Sequence, residues 1–290
     1  MTVTANQLFT ATLPIASTGV EDQFFADLKT SNQTFKRTAT DRFVALDECC
    51  LRRFKQSYAQ VRTVLDIGIS SGVTTLALQD RLVAAGYAPK TTGTDLSFDA
   101  WLVPVSSGIR TLVDRKGHPL QHDVLGMAVR PWTRRADYVT GMVLVRRWLN
   151  AKCEQAIAAR ADDPQPPATP LRLISRNLQD RADIDIEVND IFQATPRYEG
   201  KFDFIRAANV LNLGYFNATT IQAALANVLG YLSGPGAWLL VGRSGKRGHD
   251  ATLFRVSSDG RRLQIVERMG MGSEVEHLVL RAMTRRVSTR

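Results

Sequence analysis

The sequence predicts an α/β fold with a doubly wound, mainly parallel sheet that ends in an antiparallel hairpin. Short apolar runs alternate with helical patterns after residue 60, which is typical of parallel strands joined by crossover helices. This alternation is interrupted over residues 97–170, and hairpin signals replace it near the C-terminus. With 290 residues, of which 44% are hydrophobic, the chain is long enough for one large core. We therefore predict a single domain over 1–290 that contains an insertion after its second strand.

Ahead of the sheet, apolar residues recur at spacings of three and four, so 1–60 is predicted as an N-terminal helical segment. The residues that carry this pattern are Phe24, Phe25, Leu28, Phe43, Leu46, Cys50 and Phe54. The first strand is then predicted at Thr63–Ile67 and a helix at Val73–Ala85, ended by Gly86. The second strand follows at Thr91–Thr94.

The insertion combines three predicted parts. Ile109–Val113 and Pro119–Val124 indicate a β-hairpin with its turn at Lys116-Gly117. Asp137–Ala159 is predicted as one helix, and the proline-rich run at 162–170 as a stiff linker. The apolar stripe of that helix consists of Tyr138, Met142, Val145, Leu149, Cys153 and Ala156.

The strand and helix alternation resumes after the linker. The predicted strands are Leu171–Ile174, Ile184–Val188, Phe202–Arg206 and Ala237–Val241, with a helix over Thr219–Leu232. Three further strands are predicted to be antiparallel and joined by hairpins, and they are Thr252–Val256, Leu263–Arg268 and Val275–Ala282.

Composition limits the class of partner. A net charge of +9 suits an anionic partner such as nucleic acid. The arginines form scattered pairs without interleaved aromatic residues, however, which favours a solvated basic surface. The three cysteines show no metal or disulfide spacing, so we expect no metal site. Because the sequence shows neither a secretory pattern nor a long apolar run, we expect a cytoplasmic protein.

The segment Val64–Gly72 (VLDIGISSG) joins an apolar strand to a helix through a turn of small residues. In an open α/β sheet, ligands bind outside the carboxyl ends of the strands, where such a turn presents backbone N–H groups. Gly68 and Gly72 permit close approach of a ligand, and Asp95 can accept both hydroxyls of a ribose. Asp190 ends another strand and can accept an adenine amino group. The pattern predicts a nucleotide-like cofactor.

Four segments, in this order, resemble those of class I S-adenosylmethionine-dependent methyltransferases. Val64–Gly72 resembles the glycine-rich loop of that family, and Gly93–Asp95 (GTD) resembles its ribose-binding acid. Glu187–Phe192 (EVNDIF) resembles its adenine-contacting segment, and Phe202–Leu211 (FDFIRAANVL) resembles the fourth-strand segment that lines the methyl-transfer site. One departure is Ser70, which stands in place of the middle glycine of the loop.

The resemblance implies a Rossmann-like methyltransferase fold with a seven-stranded sheet, and S-adenosylmethionine as the cofactor. It also implies a set of cofactor-binding residues, which are Asp66, Gly68, Ser70 and Gly72 around the methionine part, Asp95 at the ribose, and Asp190 with Ile191 at the adenine. Methyl transfer from a sulfonium depends mainly on alignment, so the sequence singles out no catalytic residue.

The acceptor is predicted to be a small or lipid-like molecule in preference to nucleic acid, since the tetrapeptide of amino-methylating nucleic-acid enzymes is absent from the sequence. Arg206, Asn209 and Asn212 are predicted beside it, because they lie at or after the fourth strand of the sheet. The basic flank of the insertion helix suits either contact with an anionic membrane surface or a solvated face, and we favour the solvated face.

The same turn admits other interpretations. Gly68–Gly72 is a literal Gly-x-Ser-x-Gly elbow, which would make Ser70 the nucleophile of a serine hydrolase with His249 or His277 as its base. A nicotinamide dehydrogenase is another, although its glycine spacing is not met. The two glycines could also have a purely structural role, in which they allow the strand and the helix to pack tightly and bind no ligand. A fold of this kind would further serve as a non-catalytic nucleotide-binding module.

Overall fold

A computed structural model describes residues 3–9, 18–30, 40–161, 168–245 and 248–288. The strands of these residues are β1 Thr63–Ile67, β2 Lys90–Asp95, β3 Asp99–Ser106, β4 Ile109–Asp114, β5 Pro119–Val124, β6 Met127–Val129, β7 Thr169–Arg172, β8 Ile184–Val188, β9 Phe204–Ala208, β10 Trp238–Gly245, β11 Gly248–Val256 and β12 Leu263–Met269. The helices are α1 Ala5–Phe9, α2 Thr18–Asp27, α3 Val44–Gln56, α4 Val73–Ala84, α5 Arg135–Val139, α6 Met142–Ala161, α7 Arg176–Gln179, α8 Ala218–Tyr231 and α9 Glu276–Ser288. Among these described residues, no helix is long and apolar enough to cross a membrane.

The chain divides into two compact units. The sheet unit comprises residues 41–97 and 180–290, and the insertion unit comprises residues 1–40 and 98–179. The predicted insertion at 97–170 therefore corresponds to a unit that also includes α1 and α2, whereas α3 belongs to the sheet unit. The description of 1–290 as a single domain stays a prediction.

The described residues of the sheet unit build a seven-stranded sheet with the order β12-β11-β10-β9-β1-β2-β8. The five strands β8, β2, β1, β9 and β10 run parallel to one another. Beyond β10, β11 and β12 are added as antiparallel strands. The predicted doubly wound, mainly parallel sheet with an antiparallel C-terminal hairpin is confirmed. In this sheet, β2 and β8 lie on one side of β1. The strands that follow in the chain, β9, β10, β11 and β12, lie on its other side. The strand order therefore reverses between β1 and β9, the kind of position where such sheets bind ligands.

The central strands are buried because helices cover both faces of the sheet. All five residues of β9 are buried. On one face, Leu225 of α8 and Leu278 of α9 pack in the core. On the other face, Phe54 of α3 lies edge-on to Phe204 and Trp238, with ring centroids 5.1 Å away in each case. Burial of each such side chain contributes about 1.5–3 kcal/mol, so the sheet and its helices form a rigid support for the loops at the strand ends.

The predicted strand at Val275–Ala282 is wrong, because these residues lie almost entirely in helix α9. Val275, Leu278 and Val279 are buried at spacings of three and one, and Ala282 continues the pattern after three more residues. This is the helical period, whereas a strand would alternate every second residue. The hairpin between β11 and β12, by contrast, is confirmed.

The insertion unit contains a five-stranded antiparallel sheet, in the described residues, with the order β6-β5-β4-β3-β7. The predicted hairpin of β4 and β5 is confirmed. Its turn includes Gly117 at φ +75°, and the Asp114 carboxylate accepts the N–H groups of Lys116 and His118 at 2.9 and 3.0 Å. The predicted strand at Leu171–Ile174 is corrected, because Thr169–Arg172 forms β7 and pairs with β3 of this sheet.

The predicted helix Asp137–Ala159 is also corrected, because it is divided into α5 and α6. Gly141 lies between them with φ +72°, the left-handed conformation that commonly follows a helix end. The predicted stripe is divided as well, since Leu149 and Cys153 are buried whereas Tyr138 is 64% exposed. Most of the predicted linker at 162–170 lies outside the described residues.

Candidate cofactor site

Three of the predicted segments meet at the carboxyl edge of the parallel sheet. The turn after β1 and the ends of β2 and β8 are neighbours because these strands lie side by side. The Ser70 N–H donates to a carboxylate oxygen of Asp95 at 2.7 Å. The Asn189 N–H donates to the Asp95 carbonyl at 2.9 Å. The structure therefore brings Ser70, Asp95 and the Asn189-Asp190 segment to one edge.

The turn after β1 depends on backbone conformations that glycine adopts without strain. Gly68 and Gly72 have φ +75° and +79°, in the left-handed region. A Cβ atom on Gly68 would also lie 2.3 Å from Val210 Cγ2, in the segment that follows β9. Ser70 has φ +57°, which costs a residue with a side chain about 1–2 kcal/mol. The turn thus comes into contact with the β9 end at the point where the strand order reverses.

Most backbone N–H groups of this turn donate within the protein. Gly68 and Ile69 both donate to the Thr94 carbonyl, at 2.7 and 3.1 Å, and Gly72 donates to the Ile69 carbonyl at 2.9 Å. The Ser70 N–H is used in the carboxylate bond described above. The prediction that this turn presents free N–H groups to a ligand is therefore wrong for these four residues. Recognition at this edge falls to side-chain acceptors and to the shape of the turn.

Asp95 is a half-buried acceptor at the end of β2. Its Oδ1 accepts the Leu96 N–H at 2.7 Å, and its Oδ2 accepts the Ser70 N–H at 2.7 Å. An ionised carboxylate can accept about four hydrogen bonds, so capacity remains for two more donors. Because the two backbone bonds already fix the carboxylate, little side-chain entropy is lost when a ligand binds.

Asp190 closes the turn after β8, and Ile191 points inward. Asp190 Oδ1 accepts the Phe192 N–H at 3.0 Å, and its Oδ2 lies 3.5 Å from Gln193 Nε2. This is the arrangement of an Asx turn, which is a structural role. Ile191 is 6% exposed and packs in the core, where its carbonyl accepts a hydrogen bond from Asn227 Nδ2 at 2.8 Å. The structure brings Asp190 to the edge and directs the Ile191 side chain into the interior.

The carboxylate of Asp66 lies in the interior of the sheet unit. It accepts a bidentate pair from Arg206, with Nε–Oδ1 at 2.9 Å and Nη2–Oδ2 at 2.6 Å. Thr75 Oγ1 donates to the same Oδ2 at 2.7 Å. A direct contact between Asp66 and a cofactor therefore has no support in this geometry. The prediction that Arg206 lies beside the acceptor is wrong, because its side chain is fully buried in this ion pair.

Arg206 also binds helix α3. Its Nη1 donates to Asp47 Oδ1 at 2.9 Å, and Arg81 of α4 donates to the other Asp47 oxygen at 3.0 Å. Burial opposes the charge of Arg206, but Asp66 and Asp47 hold the pKa of the guanidinium above its ordinary value. Burial raises the pKa of Asp47, and Arg206 opposes that rise. These four residues, here called the buried ion cluster, tie α3, α4, β1 and β9 together.

A second polar group lies at the ends of β9 and β10. Asn209 Oδ1 accepts the Ser244 N–H at 2.6 Å, and Asn209 Nδ2 lies 3.3 Å from Ser244 Oγ. Ser244 Oγ lies 3.1 Å from His249 Nδ1, because the two residues face each other in the β10–β11 register. Asn209 could be singled out from the sequence, but its partners could not, because the β9–β10 pairing brings Ser244 to it and the β10–β11 pairing adds His249. Asn212, the other predicted acceptor-side residue, is buried and accepts the Gly214 N–H at 2.7 Å.

The two histidines proposed as partners of Ser70 are engaged or placed elsewhere. His249 bonds with Ser244, and its ring lies 5.6 Å from that of Phe43. His277 is exposed on α9. Within the part of the chain that the structure describes, no hydrogen bond joins Ser70 to a histidine. The geometry therefore assembles no serine triad at the turn.

Comparisons with known proteins found likeness only among solved structures, since no family matches the sequence and no curated protein matches it. The N-methyltransferase NodS from Bradyrhizobium japonicum, solved with S-adenosylhomocysteine, is 19% identical over 69% of this chain and 61% of its own, with a TM-score of 0.31. CalS10, an amino pentose methyltransferase from Micromonospora echinaspora solved with S-adenosylmethionine, is 11% identical over 85% of this chain and 83% of its own, with a TM-score of 0.36.

The plantazolicin methyltransferase BpumL, solved with S-adenosylhomocysteine, is 12% identical over 72% of this chain and 49% of its own, with a TM-score of 0.34. This chain thus spans less than two thirds of NodS and about half of BpumL. These matches describe a partial overlap of backbones. The function proposed below depends instead on the geometry of the carboxyl edge.

Proposed function

We propose that the chain is a class I S-adenosylmethionine-dependent methyltransferase that binds its cofactor at the carboxyl edge of the parallel sheet. The hydrogen bond from the Ser70 N–H to Asp95 carries this proposal, because it joins the turn after β1 to the acid that ends β2. In doubly wound sheets, a nucleoside binds beside the point where the strand order reverses. The unused acceptor capacity of Asp95 suits the two hydroxyls of a ribose.

The residues at this edge would each contact a different part of the cofactor. Gly68, which is exposed and lies against Val210, would face the methionine part, with Ser70 and Gly72 shaping the rest of the turn. Asp95 would accept the ribose hydroxyls, and Asp190 would accept the adenine amino group. Asp66 would act indirectly, by holding β1 in position through the buried ion cluster.

When bound, S-adenosylmethionine supplies a methyl group that the positive sulfonium already activates. The protein must bind and orient the two reactants and exclude water, and orientation can supply roughly 7–11 kcal/mol of barrier reduction. An acceptor that loses a proton during transfer also needs a base. His249 is the candidate for this role, because its Nδ1 contact with Ser244 fixes the ring, and in the tautomer whose Nδ1–H donates to Ser244 the Nε2 atom can take a proton.

We propose a small or lipid-like molecule as the acceptor, bound near the Asn209, Ser244 and His249 group. This group offers an amide and a hydroxyl at the ends of β9 and β10 and an imidazole at the start of β11, and β9 lies beside β1, whose turn would bind the cofactor. A cytoplasmic location belongs to the same proposal.

Isothermal titration calorimetry tests the cofactor assignment. We expect binding of S-adenosylmethionine and S-adenosylhomocysteine, and at least about tenfold weaker binding of NAD, which corresponds to roughly 1.4 kcal/mol. If neither sulfur compound binds, the assignment is wrong. Binding without transfer of a labelled methyl group to a metabolite extract would favour the non-catalytic module instead. In an active preparation, His249→Gln should slow transfer, whereas His277→Gln, a change to an exposed histidine, should not.

A serine hydrolase is retained as the second candidate because Ser70 has the left-handed conformation expected of a strained nucleophile elbow. It predicts labelling of Ser70 by a fluorophosphonate probe and loss of that labelling in Ser70→Ala. Absence of labelling in the wild-type protein rejects this candidate.

A further inference from the structure

The insertion unit contains a polar cavity of about 360 Å³ that the proposed methyl transfer does not use. Its walls come from α2, β5, β6 and the segment that precedes α5. The lining residues include Asp27, Leu28, Leu120, Gln121, Arg130 and Arg134. The volume lies within the range of small-molecule sites, about 300–1,000 Å³.

Two arginines of this cavity are held by an aromatic ring. The guanidinium groups of Arg130 and Arg134 each lie 4.9 Å from the ring centroid of Trp132. Trp132 is itself anchored, because its indole N–H donates to the Asp27 carbonyl at 3.1 Å. Among the described residues, neither Arg130 nor Arg134 takes part in a salt bridge. Both positive charges therefore line the cavity with their hydrogen-bond donors available.

The neighbouring carboxylate on α5 is already committed to a third arginine. Arg146 binds both oxygens of Asp137 at 3.0 Å, and this pair is buried. Arg146 also donates to the backbone carbonyl of Arg130, while its charge is balanced by Asp137. Burial lowers the pKa of Arg130, and repulsion from Arg134 lowers it further, while Asp27 opposes the shift. The cavity thus has an excess of positive charge that an anion would neutralise.

We propose that this cavity binds a small molecule through its carboxylate or phosphate group, with Arg130 and Arg134 as the binding residues. A guanidinium matches both groups with two parallel hydrogen bonds. Because Trp132 already restrains both side chains, less rotamer entropy is lost on binding. Leu28 and Leu120 lie at the back of the lining with 0% and 1% exposure, so contacts with the ligand are expected to be mainly polar. The Asp27 carboxylate disfavours a second negative group beside it.

Thermal unfolding and calorimetry with inorganic phosphate and citrate, against chloride at equal ionic strength, test this site. We expect both oxyanions to raise the melting temperature of the full chain. Arg130→Gln/Arg134→Gln should abolish that rise and weaken binding at least about tenfold. Arg115→Gln/Arg147→Gln removes the same charge from exposed positions of the same unit and should behave as the wild type.

Two further measurements keep the result interpretable. Circular dichroism without anion checks that the double variant is folded, and Arg130→Lys, which keeps the charge but loses the planar fork, should bind with intermediate affinity. An equal loss in both double variants, or no preference for oxyanions over chloride, overturns the proposal. So does binding to phosphatidylglycerol vesicles without binding of free phosphate or citrate, because that outcome indicates a membrane surface. Each outcome is independent of whether S-adenosylmethionine binds.

Discussion

Two carboxylates on neighbouring strands of the sheet unit have opposite surroundings. Asp66 on β1 is 3% exposed, and its oxygens are occupied by Arg206 and Thr75. Asp95 on β2 is half-buried at the strand end, where each oxygen accepts a single backbone N–H. The first carboxylate has little acceptor capacity left and a buried countercharge, whereas the second has capacity for two further donors. Two acids that the sequence assigns to the same cofactor site thus have different roles, since Asp66 supports the interior and Asp95 can face a ligand.

The largest expected effect is on stability, from Arg206→Met. This change leaves the buried Asp66 without a countercharge and Asp47 with Arg81 alone, and loss of one partner of a buried ion pair costs about 3–5 kcal/mol. Chemical denaturation should measure a loss of that size. The triple change Asp47→Asn/Asp66→Asn/Arg206→Met removes the three fully buried charges together, leaves only the partly exposed Arg81, and should recover part of the loss. A loss below about 1 kcal/mol for Arg206→Met would contradict the structural role of the cluster.

The second effect is on ligand affinity, from Asp95→Ala. Each hydrogen bond from a ribose hydroxyl to a charged acceptor is worth about 1.5–3 kcal/mol, so S-adenosylmethionine should bind about 10- to 140-fold more weakly for each bond lost. The free energy of unfolding should fall by only about 1–2 kcal/mol, because water can replace the carboxylate at the two backbone N–H groups of this partly exposed edge. Calorimetry and denaturation on the same preparation measure both. A stability loss as large as that of Arg206→Met would remove the contrast between the two carboxylates.

Asp190→Asn is expected to have a smaller effect. The asparagine side chain keeps a carbonyl that can accept the Phe192 N–H, so the turn after β8 should persist. Loss of the negative charge should weaken S-adenosylmethionine binding up to about tenfold, or roughly 1.4 kcal/mol. Calorimetry of this variant and of Asp190→Ala separates the effect of the lost charge from the effect of a disrupted turn. If both variants bind as tightly as the wild type, Asp190 takes no part in the site.

Ser70→Gly should change least. Glycine adopts the left-handed conformation of this position without strain, and the gain is offset by its greater freedom in the unfolded chain. We expect a stability change within about 1 kcal/mol and an unchanged affinity for S-adenosylmethionine. Ser70→Val, which places a branched side chain at φ +57°, serves as the disruptive comparison. Loss of cofactor binding in the glycine variant would show that the hydroxyl has a direct role.

The sheet could be predicted from sequence because its strands are short apolar runs that recur between helical patterns. The C-terminal helix could not be assigned, because Val275–Ala282 is dense in apolar residues and a dense apolar run suits either element. The pattern that identifies it is the spacing of Val275, Leu278, Val279 and Ala282, which matches the helical period. The break at Gly141 has a comparable signal, since a glycine within a helical pattern marks a weak point.

Asp66 and Asp95 have different roles because of the way in which the strands pair. Asp66 and Arg206 are directly opposite each other in the β1–β9 register, although 140 residues separate them. An arginine inside the otherwise apolar strand Phe204–Ala208 is itself a signal, because a buried charge requires a partner. That partner follows only once β9 is known to lie beside β1. The Asp95 position needed no such knowledge, since an acid at a strand end is visible in the sequence.

The most direct test of the proposed cofactor site is to titrate S-adenosylmethionine into two variants, Asp95→Ala and Asp180→Ala, and to compare their affinities by calorimetry. Asp180 is an exposed residue of the sheet unit, away from the carboxyl edge, so its loss removes the same charge without touching the proposed site. We expect wild-type affinity for Asp180→Ala and an affinity at least about tenfold lower for Asp95→Ala. Equal affinities in the two variants would contradict the proposed site.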